Sequence, residues 1–227
     1  MDDVISKWNK NYNLIELVIK NLEKYLSEFQ KYYNSGKFPN DKKLNYQNYV
    51  NLNLLDLRKK YLIYNFKAFD GKYSYRENLE TRLNFVTNIS INSNKKNELN
   101  LEHMKKMWGC FIKNKLSNFE QTIFISWLLR EKPEKDPKNQ TKKNYFLPDN
   151  LINDIFNKIF IDPNFVEVPS MTFDVFKCFQ SFFEYINVQQ KNMEMNHRNQ
   201  FRILKFNSIF GKDYFWHILL YNSNEQV

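Results

Sequence analysis

The sequence predicts an all-α chain, an armadillo- or HEAT-like α-solenoid of antiparallel helix pairs, and three observations carry that prediction. The first is the stretch Leu99 to Arg130, which reads as two amphipathic helices. Leu101, Met104, Trp108, Phe111 and Ile112 fall on one helical face, and Phe119, Ile123 and Trp127 on another, widened by Phe124 and Leu128. The turn between them, Asn114 to Ser117, is too short for anything but an antiparallel hairpin. The second observation is that 4 Gly and 6 Pro in 227 residues leave little material for tight β-turns. The third is a faint internal repeat. Helices open at Leu101 and at Leu147, 46 residues apart, and their apolar positions pair one residue further on, Met104 with Leu151 and Trp108 with Ile155. That spacing is within the roughly 40–47 residues of HEAT and armadillo units. Two helices with broad apolar faces cannot bury them on each other alone, so layers are required on both sides.

Taken in order, the chain opens with a helical pattern from Asp3 to about Tyr33, with Trp8, Tyr12, Ile15, Val18 or Ile19, Leu22, Tyr25 and Phe29 on one face. Ser35-Gly36 and Pro39 end it. A second helical stretch spans Asp41 to about Phe69, and a third runs from Ser74 to Ile89 with Tyr75, Leu79, Leu83 and Val86 inward. Asn100 and Asn118 stand where N-caps belong, and Asn118 with Gln121 forms a variant capping box. Trp108 and Trp127 are expected to meet inside the hairpin. Glu131 to Asn144 has two prolines, no apolar residue and alternating charge, which marks a solvated insertion. Leu147 to Phe160 is helical again, with Pro148 in its first turn and Asp162-Pro163 as its break. Ser170 is expected to cap a helix carrying the stripe Phe173, Phe176, Phe179, Phe183 and Ile186. Gln189 to Asn199 is polar, Phe201 to Phe210 is expected as a short helix ended by Gly211, and Tyr214 to Tyr221 begins another. The organisation expected is an unplaced helical segment over 1–70 and armadillo-like repeats over 71–227, with the charged insertion at 131–146.

Composition and charge exclude several function classes. No apolar run reaches the roughly 18 residues of a membrane span, so a soluble chain without membrane partners is expected. The N-terminus, MDDVISKWNK, has no continuous apolar core of a secretory signal. Two cysteines make no disulfide framework, which fits a reducing compartment, the cytoplasm first and the nucleus second. The net charge of +9 comes from 28 Lys and only 6 Arg, scattered rather than clustered, so a solvated Lys-rich surface is preferred over nucleic-acid binding. His103, His197 and His217 lie far apart with no spaced acidic or cysteine partners, so no metal site is proposed. Cys110 and Cys178 are mid-helix beside Phe, where a thiol packs rather than ionises. The four glycines are isolated, so there is no phosphate loop. The residues specify a scaffold with no catalytic, cofactor-binding or metal-ligating constellation.

A resemblance takes the reading further. RLNFVTNISINSNKKNELNLEHMKKMWGCFI (Arg82 to Ile112), followed by FEQTIFISWLLRE, resembles a segment of very large ubiquitin-specific proteases of the fat facets type. FLPDNLINDIFNKIF and MTFDVFKCFQSFFEYIN are similar to the next helix pair of that family, and GKDYFWHILLYNSNEQV (Gly211 to Val227) to a later segment, so the likeness spans about residues 75 to 227. The resemblance implies the non-catalytic armadillo-like array rather than the protease domain. The family's Gly-Leu-x-Asn-x-Gly-Asn-Thr-Cys box and its histidine box have no counterpart here, so no catalytic residue transfers. The resemblance leads to the expectation of a helical scaffold within a larger deubiquitinating enzyme, serving protein partners or ubiquitinated substrates, with no cofactor and no activity of its own. A free-standing solenoid adaptor for protein–protein interaction is the alternative.

Overall fold

In a computed structural model, residues 13–34, 74–92, 98–113, 118–132, 144–195 and 200–221 are described. The expected helix over 41–69, the start of the first helix, the boundary at residue 70, the turn 114–117 and His197 lie outside them. The chain divides into two compact units, Met1–Glu98 and Leu99–Val227.

In the first unit, α1 (Leu14–Asn34) packs against α2 (Tyr75–Asn92). Ile15, Ile19, Leu22, Tyr25 and Phe29 are buried at three- and four-residue steps, which resolves the ambiguity between Val18 and Ile19 in favour of the isoleucine. On α2 the inward residues are Tyr75, Leu79, Leu83 and Val86, as the periodicity predicts. The helix opens with a capping box: the Ser74 N–H donates to Glu77 Oε2 at 2.7 Å and the Glu77 N–H to Ser74 Oγ at 3.3 Å. Tyr75 stacks on Phe29, and Arg82 lies 4.5 Å over the Tyr25 ring while its Nε donates to Asn21.

The second unit holds two stacked helix pairs. The first is α3 (Leu101–Trp108), extended by a π-helical turn Gly109–Lys113, and α4 (Asn118–Leu128). The second is α5 (Asp149–Ile155), extended by a π-helical turn Phe156–Phe160, and α6 (Phe173–Gln189). Helix α3 packs on α5 and α4 on α6, while α4 and α6 each meet the π-helical turn of their own pair. This is armadillo-type stacking, each pair covering the apolar face of its neighbour.

Burial corrects the register of the repeat. Met104, Trp108 and Phe111 correspond to Ile152, Phe156 and Ile159, 48 residues on, one position beyond the alignment with Leu151 and Ile155. The second helices match at 55 residues, as Phe124 with Phe179, Trp127 with Phe182 and Leu128 with Phe183 show. The seven extra residues fall in the connection 161–172. Two unequal spacings are hard to see as one repeat in the sequence.

Several local expectations change. The helix expected to be capped by Ser170 begins at Phe173 with Thr172 as its N-cap, because Val168–Ser170 forms a 3₁₀ turn around Pro169. Phe173 consequently leaves the stripe and is exposed, whereas Phe176, Phe179, Phe183 and Ile186 are buried. Asn118 is the first helical residue rather than a cap, and Gln121 is buried, its side chain donating across to the Thr172 hydroxyl of the next pair. Trp108 and Trp127 are bridged by Phe124, which meets the first edge-on and stacks on the second. Trp108 is fully buried, and its indole N–H donates to the Phe165 carbonyl at 3.1 Å. The ends of the charged insertion are paired through Glu131 and Tyr145, and Tyr145, Phe146 and Leu147 are core.

The helix expected over 201–210 is absent. The chain instead forms an antiparallel hairpin, β1 (Met193–Met195) with β2 (Phe201–Ile203), then a 3₁₀ turn Phe206–Ser208 and α7 (Lys212–Tyr221). Two buried asparagines explain why. The Asn187 side chain donates to the carbonyls of Phe183 and Phe210 and accepts from the Phe210 N–H at 2.8 Å. Asn192 donates to Asn187 and to the Ser208 carbonyl, and its own carbonyl accepts from Leu204 and Lys205. These bonds satisfy backbone groups that a helix would have paired locally. Gly211 has φ +76°, and a Cβ there would sit 2.7 Å from the Phe156 ring, so the residue makes the turn into α7.

Candidate functional site

Among the described residues, the cysteines and histidines that could do chemistry serve different elements. Cys178 faces the core of α6 with no exposed surface, and burial pushes its thiol well above the ordinary range, the opposite of what a nucleophile needs. Cys110 sits half-buried in the π-helical turn after α3. His103 completes a capping box at the start of α3. Its Nδ1 accepts from the Asn100 N–H at 3.3 Å, and its own N–H donates to Asn100 Oδ1 at 3.0 Å. Asn100 is therefore the cap expected, and the imidazole, buried beside it, serves the helix terminus. His217 is exposed on α7, its ring 4.7 Å from that of Tyr221. Among the described residues no group of three His, Cys, Asp or Glu side chains could hold a metal ion.

One open cleft of about 600 Å³ lies between the connection 161–170 and α7. Ile161, Pro163, Val168, Pro169, Tyr214 and His217 line it, with Glu167 and Ser170 supplying polar groups. The shape comes from the longer connection of the second pair: Asp162-Pro163 ends the π-helical turn, and Pro169 holds the 3₁₀ turn against which α7 packs. Tyr214 sits between cleft and core, its ring 5.6 Å from Phe179. Burial raises its phenol to about 12, so the hydroxyl stays protonated at neutral pH. The Ser170 hydroxyl donates to the Glu167 carbonyl and carboxylate. A cleft so lined offers apolar surface with a few polar groups, which suits binding rather than bond-making. Sequence reasoning missed it, because Tyr214 lies some 45 residues from Pro169 and no motif joins them; the two prolines bracketing 163–169 were the available signal.

The profile of the UBP24/USP9X/USP9Y ARM repeat matches residues 1–187. No curated protein matches the chain significantly. The matched span includes the first 70 residues, which the sequence left unplaced, and ends within the last turn of α6. The hairpin and α7 lie beyond it. With most of its length matched and its helix pairs stacked one on the next, the chain belongs to the UBP24/USP9X/USP9Y ARM-repeat family.

Proposed function

We propose that this chain is a non-catalytic scaffold portion of a ubiquitin-specific protease, holding protein partners or ubiquitinated substrates for a protease domain that the chain itself does not contain. The observation that carries the reading is the match to the ARM repeat of such proteases over residues 1–187. The sealed Cys178 and the engagement of His103 in a helix cap support it, because covalent catalysis needs an activated thiolate with a positioned base. Cys110 and Cys178 also lack the flanking residues of the protease cysteine box. The cleft beside α7 and the faces of the stacked helices are the surfaces available for proteins. The cytoplasm is the proposed address.

A ubiquitin probe bearing a C-terminal thiol-reactive group tests this directly. The purified chain should remain unlabelled, while the parent protein, recovered with an antibody against residues 99–221, should label and migrate far above 27.8 kDa. Labelling that vanishes in Cys110→Ala or Cys178→Ala would overturn the scaffold reading. An unlabelled native species of 27.8 kDa would assign a free-standing adaptor instead.

A further inference from the structure

Helices α2 and α3 open with the same reciprocal cap built from different chemistry. On α2 the Ser74 N–H donates to a carboxylate oxygen, Glu77 Oε2, at 2.7 Å. On α3 the acceptor in that place is an imidazole: the Asn100 N–H donates to His103 Nδ1 at 3.3 Å. Asn100 returns two bonds, Oδ1 accepting from the His103 N–H at 3.0 Å and the carbonyl from the Met104 N–H at 3.1 Å. A carboxylate ordinarily remains a full acceptor down to about pH 4, whereas an ordinary imidazole gains its second proton near pH 6.5. Once both ring nitrogens carry hydrogen, neither accepts.

The surroundings of His103 oppose that proton. The residue is 7% exposed, so a charge on it would be taken out of water. It stands in the first turn of α3, at the positive end of the helix dipole, where a cation is unfavourable. On α3 itself Glu102 is engaged by Lys105 at 3.3 Å, and Lys106 follows three residues after His103. Among the described residues packed against α3, the charged groups are likewise engaged. Lys113 of the π-helical turn lies over the Phe165 ring, and Asp162 accepts from the Asn164 N–H. On α5, Asp149 accepts from the Tyr185 hydroxyl at 2.8 Å and Asp154 pairs with Lys158 at 2.6 Å.

We propose that the Asn100–His103 box is a proton-operated latch: when the imidazole takes up a proton, the Asn100 N–H loses its acceptor and the first turn of α3 opens. The closed turn resists a proton that the open chain accepts, so the open state binds more protons. The stability contributed by the latch is therefore present above about pH 6.5 and is lost as pH falls below it. The carboxylate box on α2 does not change over this range and is an internal reference. The latch belongs to the start of α3 and operates alike in a protease scaffold and in a free-standing adaptor.

The test follows amide exchange in the whole chain, corrected for its intrinsic pH dependence, at about pH 7.5 and about pH 5.5. Protection at the His103 and Met104 amides should fall by up to about tenfold, the limit for one imidazole that titrates only in the open state over this range. The Glu77 and Asn78 amides, held by Ser74, should keep theirs. His103→Gln retains an acceptor at this position of the box and removes the titration, so its protection should hold at both pH values. Nitrogen NMR of the wild-type imidazole should find Nδ1 free of hydrogen at about pH 7.5. Should the variant fail to fold, the wild-type measurements decide alone. Undiminished protection in the wild type, an equal loss at both boxes, the same loss in His103→Gln, or a hydrogen on Nδ1 at about pH 7.5 would overturn the latch.

Discussion

The two stacked helix pairs and the segment after them are built on different principles. Between Leu101 and Gln189 the stacking is apolar: Trp108, Phe124, Phe156 and Phe179 are fully buried, and the repeat survives a seven-residue difference in connection length. Over the described residues 190–195 and 200–211 the structure rests on hydrogen bonds, with two buried asparagines holding a pair of antiparallel strands that would be marginal alone. Hydrophobic burial tolerates shifts of register and loop length, because it depends on area rather than direction. A carboxamide network tolerates neither, because each bond needs its partner at one distance and angle.

The comparison can be broken most severely from the apolar side. Trp108→Ala removes the largest fully buried side chain and the edge contacts to Phe124 and Phe160, and should cost about 3–5 kcal/mol in denaturant unfolding. A loss under about 1 kcal/mol would mean that the stacking of the pairs does not depend on this face. Asn187→Leu keeps the branching of the side chain but strands the Phe210 N–H and removes one of the acceptors of the Asn192 amide, at about 1–3 kcal/mol. Its signature is local: hydrogen exchange should accelerate over 201–211 while the helices 101–189 keep their protection. Uniform acceleration across both regions would make Asn187 an ordinary core residue.

The smallest effect is expected at alkaline pH. Tyr214 and Tyr185 are both raised to about 12, chiefly by burial, and Tyr185 also by its hydrogen bond to Asp149. A phenol whose folded pKa lies above its unfolded value near 10 favours the folded state while protonated. That stability is fully present below pH 10 and is lost as pH rises from 10 to 12. Tyr214→Phe should flatten this part of the pH–stability curve, measured by thermal melts between pH 8 and about 11.5. An unchanged slope would place Tyr214's hydroxyl in water.

Much of this molecule was legible in its residues taken locally. Helix faces such as Tyr75, Leu79, Leu83 and Val86, the Asn100 cap and the inward tryptophans arise from a 3.6-residue period and from capping chemistry, both properties of neighbours in sequence. The family resemblance added the protease scaffold. The candidate site was not legible, because Pro163 and Pro169 meet Tyr214 and His217 only when α7 packs on the 3₁₀ turn. Nor was the hairpin: Phe201 to Phe210 carries an apolar pattern that suits a short helix, and only Asn187 and Asn192, arriving from the end of α6, give its backbone a better set of partners. Sequence by itself determined most of the residues that turn inward along each helix, though not the choice of Ile19 over Val18 or the exposure of Phe173. Tertiary structure decided the register of the pairs, the cleft and the hairpin, because those depend on bonds and contacts between groups that are distant along the chain.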